Sequence, residues 1–426
     1  MRSRFDASLG GAVNCSTPVV VLAPGVYEGH GVARTLGRLG VPVYGVHVDL
    51  RSPGVRSRYW RENISWPLPS APPRKSVDWL LQLGRRIGSR PIVIATNDAS
   101  CLLLAEYAAE LAQEYCFPTQ PPGLALSLSS KQQMYYLCKE HDIPTPETSF
   151  PRSRQDVLEF IEGATFPVML KPIENRVAQR HSGVRMAIIQ DARALLRQYD
   201  EMETPGAPNF MIQEYIPGGP DMVWMFNGYF DEDSRCLFGI TGNKLRQYPP
   251  YTGMTSLGVC VTNAVVARQT TDFMAAVRYR GVLDIDYKYD ARTDQYMLLD
   301  VNPRVGASFR LFVDSAGMDV VRALYLDLTG QTVVVGDARE GRKWLVENYD
   351  VVSSLRYFRD GRLSAAEWLR SFRGVEEASW FAWDDLAPLP AMVWRSVARG
   401  FERLSARRRV APDGDGAATP DPVRSR

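Results

Sequence analysis

The stretch from Leu283 to Arg304, LDIDYKYDARTDQYMLLDVNPR, decides how the rest of the chain is read. It holds two short strand patterns, LDIDYKYD and YMLLDVN. Side chains two apart on a strand share a face, so Asp284 and Asp286 point the same way, as do Asp300 and Asn302. Neighbouring strands that each turn acids to one face repel unless a cation lies between them. Mg²⁺ suits that place, because it takes oxygen ligands and often binds through one or two carboxylates plus substrate phosphates. Some of this acidity is expected to be solvated on the outer face of an antiparallel sheet instead: Asp290, Asp294 and, at the margin, Asp284.

Two upstream segments carry complementary chemistry. In FPVMLKP, Lys171 ends an apolar strand, where an ammonium is costly to bury unless it faces an anion. Alone, it would read as a snorkelling surface lysine. The loop that follows, Asn175 to Gly183 (NRVAQRHSG), is polar and cationic and can fold over phosphates with backbone N–H groups and Arg or His side chains. In FMIQEYIPGGPD, from Phe210 to Asp221, a strand stops at Pro217-Gly218-Gly219. That leaves Gln213, Glu214, Tyr215 and Ile216 beside a cleft where an adenine edge can bond to main-chain groups. A plain hairpin turn is the alternative.

Outward from these segments the fold class emerges. Val19 to Ala23 (VVVLA), Val41 to Val48 and Pro91 to Ala95 (PIVIA) are buried-strand runs separated by helical patterns, so residues 18–120 read as an open parallel α/β sheet after a flexible stretch over residues 1–17. The glycines at 25, 29 and 31 are spaced G-x-x-x-G-x-G, which is not the G-x-G-x-x-G dinucleotide fingerprint; they read as a turn, with Asp49 the one hint of a ribose ligand. The Pro-rich PTQPPG at 118–123 is a linker. Residues 121–330 then mix strands and helices as an α+β module, and residues 331–404 read as a mainly helical, Trp-rich region before a disordered tail over 405–426. From Met392 to Leu404, apolar residues recur at Val393, Val397, Phe401 and Leu404. With Trp380, Trp383 and Trp394 nearby, this stretch is expected to dock on the body. The alternative is an anionic membrane surface met through Arg399, Arg403 and Arg407 to Arg409.

Composition bounds the function. A chain of 426 residues suggests roughly three modules. Lys+Arg 50 against Asp+Glu 48 leaves a formal charge of +2, which is no field for wrapping nucleic acid, so any anion site must be local. Six cysteines without a C-x-x-C pair indicate neither a zinc cage nor a disulfide framework, and a reducing cytoplasm fits. Neither an export leader nor a membrane span is expected.

Lys131 before a helix, Lys171 in MLKP, the QEYIPGG hinge and the closing DVNPR together resemble, in order and spacing, the ATP-grasp superfamily of ligases. The resemblance covers Ser129 to Leu328, and the preceding part looks like the domain found before ATP-grasp modules in biotin carboxylase and D-alanine:D-alanine ligase. It implies an ATP-grasp fold preceded by an open parallel α/β domain, with a helical C-terminal extension. It further implies that Lys131 and Lys171 hold ATP phosphates, with Ser182 and Gly183 in the loop that closes over them. Glu214 and Ile216 would bond adenine through their backbone, and Asp221 the ribose. Lys244 and Arg246 would contact the transferred phosphate or the acceptor. Asp286, Asp300 and Asn302 would hold one or two Mg²⁺ ions, with Mn²⁺ as a substitute, and Arg304 would steady the reacting oxyanion. Many relatives carry Glu where this chain has Asp286 and Asp300, which leaves metal distances and ion number open. The activity implied is an ADP-forming ligation of a small carboxylate to an amine through an acyl phosphate. A bicarbonate-activating carboxylase and a non-catalytic ATP-binding regulator are the alternatives, and a homo-oligomer is left open.

Overall fold

In the computed structural model, residues 13–22, 24, 27–173, 186–202 and 208–398 are described. The loop with Ser182 and Gly183, and the chain beyond residue 398, lie outside them.

Val19–Leu22 (β1), Val43–His47 (β2), Trp60–Ser65 (β3) and Ile92–Ala95 (β4) form a parallel sheet in the order β3-β2-β1-β4. A strand with apolar residues at every position needs cover on both faces, and β1 receives it. Val19 and Val21 share a core with Val32 and Leu36 of the helix Glu28–Gly37 (α1), whereas Val20 and Leu22 share another with Val77 and Leu80 of the helix Pro73–Ile87 (α2). Proline opens α2 and Gly88, at φ 71°, closes it. The helix Asp98–Glu106 (α3) follows β4, its first turn capped by the Asn97 side chain, which accepts from the Ser100 amide.

A small antiparallel sheet comprises Thr148–Ser149 (β5), Val168–Pro172 (β6), Ala187–Ile189 (β7) and Phe210–Glu214 (β8), ordered β5-β8-β6-β7. The larger sheet has seven strands: Val223–Phe230 (β9), Cys236–Tyr248 (β10), Met254–Cys260 (β11), Gly281–Asp290 (β12), Gln295–Asn302 (β13), Lys343–Leu345 (β14) and Val375–Ala378 (β15). Their order is β13-β12-β9-β10-β11-β14-β15, and only β14 and β15 run parallel.

Strands β14 and β15 come from the stretch read as mainly helical, so this region extends the large sheet as well as contributing the helices Glu347–Arg359 and Ala365–Ser371. A strand as short as Lys-Trp-Leu has too few residues to show a period. It forms because β11 offers an edge and Trp344 is buried behind it. Trp344 and Trp380 join Val32, Leu36, Phe309 and Leu324 in one apolar cluster, so the first sheet, the large sheet and the C-terminal region share a core.

Candidate active site

Pairing of β12 with β13 sets the site. Asp286 lies opposite Asp300, and Asp284 opposite Asn302, so the four side chains share one face. Just past this pair the register shifts: Asp286 pairs with Asp300 but Tyr287 with Leu298, leaving Leu299 as the extra residue of a bulge. The Pro144-Thr145 segment fastens that bulge from outside, accepting from the Leu298 amide at 2.7 Å and donating to its carbonyl at 3.0 Å.

Lysines gather around the acids. Lys244 of β10 reaches across β9 and donates from Nζ to Asp286 Oδ2 at 2.6 Å. Lys171 ends β6 in the small sheet, and Lys131 opens the helix Lys131–Glu140, where Nζ donates to the Pro172 carbonyl at 2.7 Å. Burial, assisted by the like charge of Lys131, brings the Lys171 ammonium down to about 8, while Asp300 opposes that shift. Burial likewise lowers Lys131 and raises Asp300, and Asp286 pushes Asp300 further up. Two ammonium groups crowded beside one carboxylate form a seat for an anion.

A second run of bonds leads from the acids to the first sheet. Asn302 donates from Nδ2 to Asp300 Oδ2 at 3.1 Å, and its Oδ1 accepts from Arg304 Nη2 at 2.8 Å. Arg304 also donates from Nε to Asp98 Oδ1 at 2.6 Å, at the start of α3. Beside Arg304 a cavity of about 70 Å³ opens between the first sheet and the large one, lined by Ile94, Cys101, Phe117, Tyr279 and Leu324. Burial pushes the Cys101 thiol up to about 12, so it donates to the Pro303 carbonyl and is no nucleophile.

The hinge between the two antiparallel sheets is pinned from several directions. Gln213 is buried and donates to Thr148 Oγ1 at 3.0 Å; the Glu214 amide donates to the Glu147 carbonyl at 2.8 Å, so that amide is not the one to meet a ligand. Arg292 holds the Glu214 carboxylate at 2.7 Å, Lys288 lies 5.1 Å over the Tyr215 ring, and Ile216 is buried. Asp221 follows in the 3-10 turn Pro220–Met222 just before β9, where its carbonyl accepts from Asn243 at 2.6 Å.

Several expectations are corrected. Arg246 does not join Lys244 at the acids: it makes a bidentate pair with buried Asp350 at 2.6 and 2.8 Å and donates to Ser371 Oγ at 2.8 Å. A buried guanidinium must be neutralised, and here it is spent on fastening the C-terminal helices to the sheet. Asp284 is not a solvated acid. Burial and the like charge of Asp286 raise its carboxyl to about 7, and it accepts from Asn227 Nδ2 at 3.3 Å. Gly306 passes so close that a Cβ there would lie 2.2 Å from Asp284 Cγ. Asp290 is buried too, neutralised by Arg292 at 2.6 Å. Asp49, the ribose hint, is paired with Arg51 and Arg395. The sequence reading missed Asn227 altogether; Asp284 carried a usable signal, its two-residue spacing from Asp286.

These sheets and their order are the ATP-grasp fold. Among solved structures, an L-amino acid ligase from Bacillus licheniformis superposes with a TM-score of 0.57 at 13% identity, covering 78% of this chain and 79% of that one. The biotin carboxylase domain of the Hydrogenobacter thermophilus 2-oxoglutarate carboxylase, in complex with MgADP, ADP and bicarbonate, does so with 0.58 at 13%, covering 78% and 74%. Among curated proteins, the chain is similar to a D-aspartate ligase of Enterococcus faecium, 26% identical over 243 residues, which are 54% of this chain and 57% of the relative. The match thus spans little more than half the length of that relative. No family model matches the chain.

Proposed function

We propose that this protein is an ATP-dependent, ADP-forming ligase that activates a small carboxylate as an acyl phosphate and joins it to an amine. The carrying observation is the Asp286/Asp300 pair, set opposite each other on one sheet face beside the ammonium groups of Lys131, Lys171 and Lys244. Ligase relatives and the MgADP bound to a protein of the same fold support the reading.

The residues present fit Mg²⁺. Like-charge crowding at Asp300 is what a divalent cation relieves, and the oxygens of Asp286, Asp300 and Asn302 are hard donors. No group of three His, Cys, Asp or Glu side chains forms a metal cage among the described residues. Asp286, Asp300 and Asn302 would hold the ion, and nucleotide phosphates would supply further oxygens. When bound, it supplies charge neutralisation at the terminal phosphates.

Lys131 and Lys171 hold those phosphates, the hinge from Gln213 to Ile216 lines the adenine side, and Asp221 meets the ribose. The substrate carboxylate attacks the γ-phosphorus and the bond to the bridging oxygen breaks, releasing ADP. The amine nitrogen then attacks the acyl carbon, phosphate leaves, and the amine loses a proton. Arg304, held by Asn302 and Asp98, faces the oxyanion that forms at that carbon. The cavity beside it takes a substrate at the carboxyl end of β4, where open parallel sheets bind ligands. No protein nucleophile is needed.

The test is phosphate release with ATP and Mg²⁺, screened across amino acids and small carboxylic acids. ADP and phosphate should appear in equal amounts, and hydroxylamine should trap a hydroxamate when the amine is omitted. AMP and pyrophosphate as products would overturn the acyl-phosphate mechanism. Nucleotide binding without phosphate release under every acceptor would identify a regulator.

A further inference from the structure

We infer that the C-terminal helix is a docking surface for an anionic membrane, lying on the lipid headgroups with its outward indole and aliphatic face. The helix over residues 388–398 is seated on the body by one side only: Met392 is buried, Leu389 packs against the main core, and Arg395 is tied to Asp49 at 2.9 Å. That seating turns the other side outward. Trp394 is 77% exposed, Val393 50% and Val397 48%, and just before the helix Trp383 is 85% and Leu386 55% exposed. The docking expected from the sequence therefore holds for Trp380, which is buried, and not for Trp383 or Trp394.

Trp394, one and three residues from the exposed Val393 and Val397 on one side of the helix, forms with them the kind of face that settles at a lipid–water boundary. No helix among the described residues is long and apolar enough to cross a membrane, so the contact is one of lying on the surface. Charge selects the occupant. Between Ala398 and Val410 the sequence carries Arg399, Arg403, Arg407, Arg408 and Arg409 against one acid, Glu402. The acids at this end of the body are already neutralised, Asp384 by Arg38 and Asp385 by Arg34. With a formal charge of only +2 over the whole chain, this is a local positive concentration. Anionic headgroups complement the charge of that arginine-rich stretch, which two like-charged copies would not.

The test uses the full chain in co-sedimentation with phosphatidylcholine vesicles, with and without phosphatidylglycerol, at low and high salt. The protein should partition onto the anionic vesicles about tenfold or more above the neutral ones, and salt should weaken this. Arg407→Gln/Arg408→Gln/Arg409→Gln and, separately, Trp394→Ser/Val397→Ser should each cut binding by about tenfold. Tryptophan emission should shift to the blue on anionic vesicles in the parent and shift less in Trp394→Phe. Trp394 and Val397 are exposed, so folding is not at stake, and circular dichroism checks it. Vesicle binding unchanged in both multiple variants overturns the inference. So does absence of vesicle binding, including the case in which light scattering finds a dimer that Trp394→Ser/Val397→Ser dissolves.

Discussion

Asp300 is held in an unfavourable place. Burial and Asp286 raise its carboxyl, and what offsets this is the nearby positive charge of Lys131 and Arg304. Asp300→Asn should therefore leave the thermal unfolding midpoint unchanged or higher, while phosphate release falls by at least about a hundredfold if, as proposed, its charge holds Mg²⁺. Asp98 acts at one remove. It is 57% exposed and its bond to Arg304 Nε aims the guanidinium, so Asp98→Asn should lower kcat/KM by about tenfold with the unfolding midpoint kept. Asp98→Glu should recover part of the loss, a rescue that a purely structural role would not give.

At the scale of the element, α1 and β2 each bury a histidine. His30 sits between the Ser379 carbonyl, 2.6 Å from Nε2, and the stacked ring of Trp380; His47 bonds through Nε2 to Asn63 Oδ1 at 2.7 Å. Burial lowers His30 to about 3 and His47 to about 4, so both are neutral when folded. The unfolded chain takes up protons below about pH 6.5 that the folded chain refuses, so this stability is present above that pH and is lost as pH falls toward the folded values. Each imidazole contributes about 1.4 kcal/mol per pH unit in that window. Urea unfolding at pH 7.5 and 5.5 should show a smaller loss for His47→Gln than for the parent, by about 1 kcal/mol.

Across the whole molecule, the C-terminal region works as a clamp. Asp385 accepts from Arg34 Nε of α1 at 2.8 Å, from Ser57 Oγ at 2.7 Å and from the Arg58 amide at 3.0 Å, so the C-terminal region is bolted to α1 and the segment leading into β3. Further on, Glu377 of β15 binds Arg310 and Arg342, and Arg310 also binds Asp319. These pairs are almost wholly buried, and removing one partner strands the other. Asp385→Ala should cost about 3–5 kcal/mol, read as a lower urea midpoint. The site depends on this clamp, because Asp98 and Arg304 come from the two bodies that it holds together.

Period and composition carried much of this protein into view. The alternation in LDIDYKYD and YMLLDVN placed Asp284 with Asp286, and Asp300 with Asn302, on one face of their own strands because a strand's side-chain repeat is set by backbone geometry, whereas the register that sets Asp286 opposite Asp300 came from the pairing of β12 with β13. The VVVL and IVIA runs declared a parallel sheet covered on both faces for a similar local reason. Partners across the fold were another matter. That Arg246 answers Asp350 and not the acid pair, that Arg304 reaches Asp98, and that Asn227 lies under Asp284 all depend on which strands become neighbours. A charged side chain is neutralised by whatever the tertiary packing brings within about 3 Å, and local sequence bears no record of that distance. The same holds for Trp394: its helix shows an apolar period in sequence, but only the seating of Met392 and Leu389 decided which side of that helix faces out.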